Sequence, residues 1–274
     1  MTGSLTPDEV ARYQRDGYLF PFDVLDADEV AEARWQLEVI EARLGGPLPR
    51  SLIAMPNIYA PFVDEIIRSP KILDPVESLL GPDILCWESA FLTKEPHAKS
   101  FFSWHQDAKY WGLEPYEVLT AWVALSPATR ESGCMEVMTG SHIGELSPHR
   151  DTWGKDNMLS RGQEMEVAVD PARCVAMPLK PGQMSLHHVK IAHGSGPNTT
   201  DDRRIGLVIR YVPAHVRQTT GKRDTAALVR GENRYGNFDL QPRAVGNFTD
   251  EALAVHKQFI ERRRAITMRN TKAA

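Results

Sequence analysis

The feature that most constrains this fold is a series of short, evenly spaced strand-like runs between residues 83 and 213. Ile84 to Thr93, Val118 to Leu125, Met135 to Met138, Val175 to Leu179, Met184 to His188 and Ile205 to Val212 lie between turn signals. Such spacing with Gly and Pro punctuation predicts a sandwich or a small barrel. Successive side chains of a strand point to opposite faces. In Arg204 to Tyr211 one face is Ile205, Leu207, Ile209 and Tyr211, and the other is Arg204, Gly206, Val208 and Arg210. In Val118 to Leu125 one face is Leu119, Ala121, Val123 and Leu125, and the other is Val118, Thr120, Trp122 and Ala124. The apolar faces should lie under helices. The mixed faces should line a cavity, because a half-polar barrel interior is expected where a ligand binds.

Helical patterns flank this β region. Thr6-Pro7-Asp8-Glu9 reads as a helix start, with Thr as N-cap, Pro in the first position and acids in the first turn. That helix should run to about Arg15 and stop at Asp16-Gly17, before a short strand over Tyr18 to Phe22. Asp26 to Leu44 is amphipathic and ends at Gly45-Gly46, and Val63 to Ser69 and Lys71 to Leu80 read as further helices. Thr249 to Ile266 starts acidic and ends basic at Arg262, Arg263 and Arg264, which suits the helix dipole. The reading is one domain over 1–274: a helical part over about 6–82, a β core over about 83–213 and a C-terminal helix over about 249–266. Residues 143–172 form a polar insertion, and a loop that long is usually functional or mobile.

Bulk properties narrow the class. A chain of 274 residues with 42% hydrophobic content can bury a large core. A net charge of −4 supports neither nucleic-acid binding nor a polybasic membrane role. Cys86, Cys134 and Cys174 form no CxxC pair, which fits a reducing cytoplasm. No signal-peptide pattern opens the sequence, and no apolar run reaches membrane-spanning length. The expected partner is therefore a small-molecule substrate in the cytoplasm; oligomeric state is not written in the sequence.

The chemistry begins at Trp104-His105-Gln106-Asp107, where a His and a carboxylate are separated by one residue. On a strand both would point to the same side. His193 follows 88 positions after His105, completing the ligand types of the 2-His-1-carboxylate triad that leaves open positions on Fe(II). The HxD pattern alone is weak. The distal half strengthens it: Met184 to His188 follows a Pro-Gly turn, and His193 runs into Gly194-Ser195-Gly196-Pro197-Asn198. His193 is the expected ligand. His187 and His188 are expected to pack beside the site, and His97, His142, His149, His215 and His256 to be surface or structural. Arg204, 11 residues past His193, suggests a carboxylate-bearing cosubstrate, since a guanidinium fork binds carboxylate bidentately. Arg203 is the rival and should point the opposite way.

Trp104 to Trp111, Leu119 to Leu125, Glu131-Ser132-Gly133-Cys134-Met135, Gly140-Ser141-His142 and His193 to Asn198 resemble the phytanoyl-CoA dioxygenase family. Its members are Fe(II)- and 2-oxoglutarate-dependent oxygenases. The resemblance implies a mainly β fold with flanking α-helices around a double-stranded β-helix, the jelly-roll or cupin-like core. It implies His105, Asp107 and His193 on iron and Arg204 on the distal carboxylate of 2-oxoglutarate. Ser195 and Trp122 are implied as further cosubstrate contacts, with core packing the alternative for Trp122. Oxygen would be consumed and 2-oxoglutarate decarboxylated to succinate as a substrate is hydroxylated. Halogenating relatives carry a small residue where Asp107 stands, so the carboxylate points to hydroxylation, desaturation or ring formation.

Candidate substrate residues are Tyr110, Trp111, Asn157, Arg161 and Arg210. Arg161 is alternatively a solvated loop charge. An inward Arg210 requires an anionic partner. If that partner is a ligand, the substrate is a small polar or anionic metabolite, amino-acid- or phosphonate-like, and this is the leading reading. If it is a protein acid beside a wide pocket, a tailoring oxygenase of a larger secondary metabolite is favoured. A third reading is a non-catalytic cupin-like metal-binding protein, against which Arg204 and the open triad speak.

Overall fold

The computed structural model describes residues 3–244 and 246–267. Local chemistry sets the first elements. Helix α1 (Pro7–Asp16) opens on a capping box, in which Thr6 Oγ1 accepts from the Glu9 backbone N–H and the Glu9 carboxylate accepts from the Thr6 N–H. It closes at Gly17, whose φ of 87° is left-handed and whose missing Cβ leaves room for His142. Strand β1 (Tyr18–Asp23) leads to α2 (Ala27–Leu44), capped in the same way by Asp26 and Glu29. There follow α3 (Arg50–Ile53), α4 (Pro61–Ile66) and α5 (Pro70–Leu80).

The β region runs β2 (Ile84–Lys94), β3 (Phe102–His105), the short helix α6 (Ala108–Trp111), β4 (Leu113–Glu114), β5 (Leu119–Ala124) and β6 (Met135–Met138). The insertion contributes β7 (His149–Asp151) and β8 (Gln163–Met165), which pair with each other. Then come β9 (Cys174–Met177), β10 (Gln183–His188), β11 (His193–Ser195), β12 (Arg204–Pro213), β13 (Arg217–Gln218), β14 (Asp224–Arg230) and β15 (Phe238–Leu240), before the closing helix α7 (Asp250–Thr267).

Two sheets form the core. The larger has strand order β1-β10-β5-β12-β2-β14-β15, and the smaller β3-β11-β6-β9. The larger is antiparallel except for the β14–β15 pair. This is the expected jelly-roll with flanking helices. One face of the larger sheet is covered by helices: Leu119, Ala121, Val123, Leu207, Ile209 and Tyr211 form a single buried cluster with Leu37, Ile40, Phe62, Val63, Ile72 and Ala252. Each Val, Leu, Ile or Phe among them contributes about 1.5–3 kcal/mol on burial. The opposite faces of β5 and β12 bring Thr120, Trp122, Arg204, Val208 and Arg210 to a cavity of about 600 Å3. Strand alternation therefore sorts both strands as the sequence predicts. No described helix is long and apolar enough to cross a membrane.

The sheet extends beyond the 83–213 stretch at both ends. β1, within the N-terminal helical part, forms an edge against β10, and β14 pairs with β2 on the far side. β14 was not legible because Asp224 and Thr225 are fully buried at its start, so no polar–apolar alternation marks it. The fourth helix begins at Pro61 rather than Val63, since proline suits the first helical turn.

Candidate metal centre and cosubstrate pocket

β3 and β11 are antiparallel neighbours in which His105 and His193 lie directly opposite each other. Their rings are 4.2 Å apart between centroids. Asp107 reaches the same point by a different route from the one expected. β3 ends at His105, and Asp107 has helical backbone angles (φ −58°, ψ −38°) at the start of α6. A strand-to-helix turn, not strand alternation, brings its carboxylate to 3.5 Å from His105 Nε2. One ligand atom from each of His105, Asp107 and His193 lies within 4.8 Å of the others, and all three residues are buried.

Backbone carbonyls orient both imidazoles. His105 Nδ1 lies 2.8 Å from the Ser103 carbonyl and His193 Nδ1 lies 3.0 Å from that of Ile191. Each Nδ1 therefore carries the proton and leaves the Nε2 lone pair for a metal. Burial, reinforced by the neighbouring His105, pushes His193 down to about 4, so its ring is neutral near pH 7. Burial alone would raise Asp107, but the adjacent His105 and His193 rings and the Arg210 guanidinium outweigh it and hold the carboxyl below its usual range. Two imidazole nitrogens and one carboxylate form a donor set that fits Fe(II) without any thiolate.

Arg204 and Trp122 stand on the inward faces of adjacent strands. Arg204 is 2% exposed, donates from Nη1 to the Gly133 carbonyl at 2.9 Å and from Nη2 to that of Leu92 at 3.3 Å, and leaves Nε unpaired. Burial pulls its guanidinium down to about 10. The Trp122 ring lies 5.3 Å from it. Gly206 makes this possible: a Cβ there would stand 2.1 Å from Trp122 Cζ2. Ser195 also lines the cavity, and its Oγ accepts from Lys94 Nζ at 2.6 Å. Arg203 points away and binds Glu41 and Glu95.

The substrate-side residues divide. Tyr110, Trp111 and Arg210 line the cavity; Asn157 and Arg161 do not. Asn157 is buried and donates to Ser103 Oγ at 2.8 Å, while its Oδ1 accepts from the Leu159 N–H. The Arg161 guanidinium sits 4.5 Å from the Tyr110 ring centre and 3.3 Å from Asp151. Both side chains thus hold the insertion in place, and the insertion instead presents Met158, Leu159, Ser160 and Gln163 to the cavity. His187 lines the cavity beside His193, with its Nδ1 and the neighbouring Thr120 Oγ1 buried and unpaired.

Three residues of the site were missed. Glu88 accepts from Arg210 Nη1 at 2.6 Å and from Arg263 Nη1 at 3.0 Å. Arg263 is no surface charge completing a helix dipole: it is 3% exposed, binds Asp224 and lies 3.8 Å from the Trp87 ring centre. Lys94 is fully buried. Alternation along β2 was a usable signal for two of them, because Glu88, Ala90, Leu92 and Lys94 share one parity and the first three line the cavity.

A family model for phytanoyl-CoA dioxygenase matches residues 13–206. The chain belongs to the phytanoyl-CoA dioxygenase family. A Stutzerimonas stutzeri protein described as a probable alpha-ketoglutarate-dependent hypophosphite dioxygenase is 34% identical over 164 residues, which is 58% of this chain and 56% of that protein. Human peroxisomal phytanoyl-CoA dioxygenase is 26% identical over 236 residues, 77% of this chain and 69% of that one. The match thus spans little more than half of the bacterial relative. Among solved structures, the apo form of the non-heme monooxygenase ThoJ aligns with a TM-score of 0.84 at 34% identity, covering 96% of this chain and 99% of that one. Within this phytanoyl-CoA dioxygenase family member, the donor set and the buried Arg204 fit Fe(II) and 2-oxoglutarate, the cosubstrate in the bacterial relative's name.

Proposed function

We propose that this chain is an Fe(II)- and 2-oxoglutarate-dependent oxygenase that oxidises a C–H bond of a substrate larger than a simple anion. His105, Asp107 and His193 hold the metal, Arg204 binds the distal carboxylate of 2-oxoglutarate, and Ser195 and Trp122 complete that end of the pocket. Bound iron and cosubstrate supply oxygen activation, coupled to release of succinate and CO2. The protein contributes orientation and shelter. Asp107 stays ionised and keeps its ligand position filled, which favours hydroxylation or a related oxidation over halogenation. Tyr110, Trp111 and the insertion screen the site from water.

The observation that carries the substrate size is the Arg210–Glu88 pair at 2.6 Å in a cavity of about 600 Å3. Arg210 already has its anion, so the cavity floor asks for none. Trp87, Trp111, Ile53, Ala54 and Ile260 give the remaining lining a large apolar and aromatic share, beside Arg50 and Arg264. A second reading, a small phosphorus- or carboxylate-containing anion, draws on the hypophosphite dioxygenase relative. Succinate formation from 2-oxoglutarate should require iron and oxygen and be lost in His105→Ala together with bound metal. A metabolite screen for stimulated 2-oxoglutarate consumption then separates the two readings. Stimulation by hypophosphite or free amino acids, and by nothing larger, would overturn the first.

A further inference from the structure

β12 carries two inward arginines, and each faces a residue of β2 directly across the ladder. Arg210 is opposite Glu88, and Arg204 is opposite Lys94. The first pair is neutralised within the protein. The second sets two basic side chains against each other, an arrangement that is destabilising in a sheet when both are charged. Both side chains are buried, Lys94 at 0% and Arg204 at 2% exposure. Both donate to one acceptor, the Gly133 carbonyl, at 3.4 Å from Lys94 Nζ and 2.9 Å from Arg204 Nη1. Lys94 also donates to Ser195 Oγ at 2.6 Å and to the Gly196 carbonyl. Among the described residues no carboxylate is hydrogen-bonded or ion-paired to either cation. The charged and titratable groups that face Lys94 are Arg204 from β12 and Cys134 from the turn before β6, with the Phe102 ring of β3 5.6 Å away. Burying an uncompensated charge is expensive, so a buried guanidinium and a buried amine set together with no acid make a site for an incoming anion.

We propose that Lys94 is a positioning and charge-compensating residue for the cosubstrate, which from behind Ser195 and beside Arg204 stabilises the distal carboxylate of 2-oxoglutarate. The inference rests on the 2-oxoglutarate reading above and assigns a residue to it. It carries a consequence for protons. In the empty pocket, burial and the Arg204 charge pull the Lys94 amine down to about 6, so near pH 7.5 it is mostly neutral. An arriving carboxylate favours the ammonium form, and the amine takes up a proton from solvent as the complex forms. A single charged arginine and a neutral amine thus become two cations around one anion only when the cosubstrate is present.

The test is calorimetric titration of 2-oxoglutarate into the full chain loaded with Fe(II) without oxygen, at pH 7.5, in two buffers of different ionisation enthalpy. Wild type should bind with net proton uptake. Pyruvate has the same 2-oxo acid end without the distal carboxylate, and should bind without that uptake. Lys94→Arg, charged in both states, should keep the affinity within a few-fold and lose the uptake. Lys94→Met should bind at least about tenfold more weakly, the equivalent of one charge-assisted hydrogen bond. Equal uptake with pyruvate, uptake that persists in Lys94→Arg, or wild-type affinity in a folded Lys94→Met overturns the role of Lys94. Absence of any 2-oxoglutarate binding by metal-loaded wild type overturns the functional reading itself. The pyruvate comparison needs no variant, so a Lys94→Met chain that fails to fold leaves the inference decidable.

Discussion

Glu88→Gln tests how the cavity floor is balanced. One Glu88 oxygen accepts from Arg210 at 2.6 Å and the other from Arg263 at 3.0 Å. The side chains are 15%, 13% and 4% exposed, so solvent screens the contacts little. A hydrogen bond to a charged group is worth about 1.5–3 kcal/mol, and breaking a buried pair by removing one partner costs about 3–5 kcal/mol. Glutamine keeps the shape and one acceptor oxygen but removes the charge. Arg263 retains Asp224, whereas Arg210 keeps the Trp111 ring, 4.8 Å from its guanidinium, and the more distant charge of Asp107. A loss of about 3 kcal/mol is therefore expected, which at roughly 2–4 °C per kcal/mol for a chain of this size lowers Tm by about 6–12 °C. Thermal unfolding followed by circular dichroism measures it. The variant should also gain affinity for small anions such as hypophosphite, which then neutralise Arg210. An unchanged Tm with unchanged anion binding would mean that Glu88 does not balance Arg210, and the argument for a larger substrate would fail with it.

Two further outcomes follow from the geometry. Gly206→Ala places a methyl group 2.1 Å from Trp122 Cζ2; overpacking of this kind costs about 1–3 kcal/mol, and the displaced indole should raise the KM for 2-oxoglutarate more than it lowers stability, as paired kinetics and melting would show. His188 gives a pH dependence. Burial, with the charges of His142 and Lys190, pushes it down to about 4, below the unfolded value of about 6.5. The unfolded chain therefore takes up the proton first as pH falls. The contribution is fully present above about pH 6.5 and is lost towards pH 4, by up to about 3 kcal/mol. Urea unfolding across that range should show the slope, and His188→Gln should flatten it.

Much of the site was legible because its signals are local. His105, Asp107 and His193 are recognisable by ligand type and spacing, and the inward placement of Arg204, Arg210 and Trp122 follows from the two-residue period of their strands. The same rule misled at Asp107, where the chain leaves the strand one residue before the ligand. Asn157 and Arg161 were placed at the substrate by position in a polar insertion, and loop geometry turns both into contacts that hold the insertion instead. Arg263 was invisible because a basic last turn reads as ordinary helix chemistry, and nothing nearby in sequence indicates that Glu88 and Asp224 await it.

Residue order alone thus dictates the strand faces and the helix caps, which depend on neighbours a few positions away, and the donor types of the candidate metal centre, which need only residue identity. Which charge meets which depended on the folded chain. Strand register puts Glu88 against Arg210 but Lys94 against Arg204, and the return of α7 delivers Arg263 to the same floor. Those pairings join residues more than a hundred positions apart, and only the packing of the sheets settles them. They separate an arginine paired with a carboxylate from one that, among the described residues, has none.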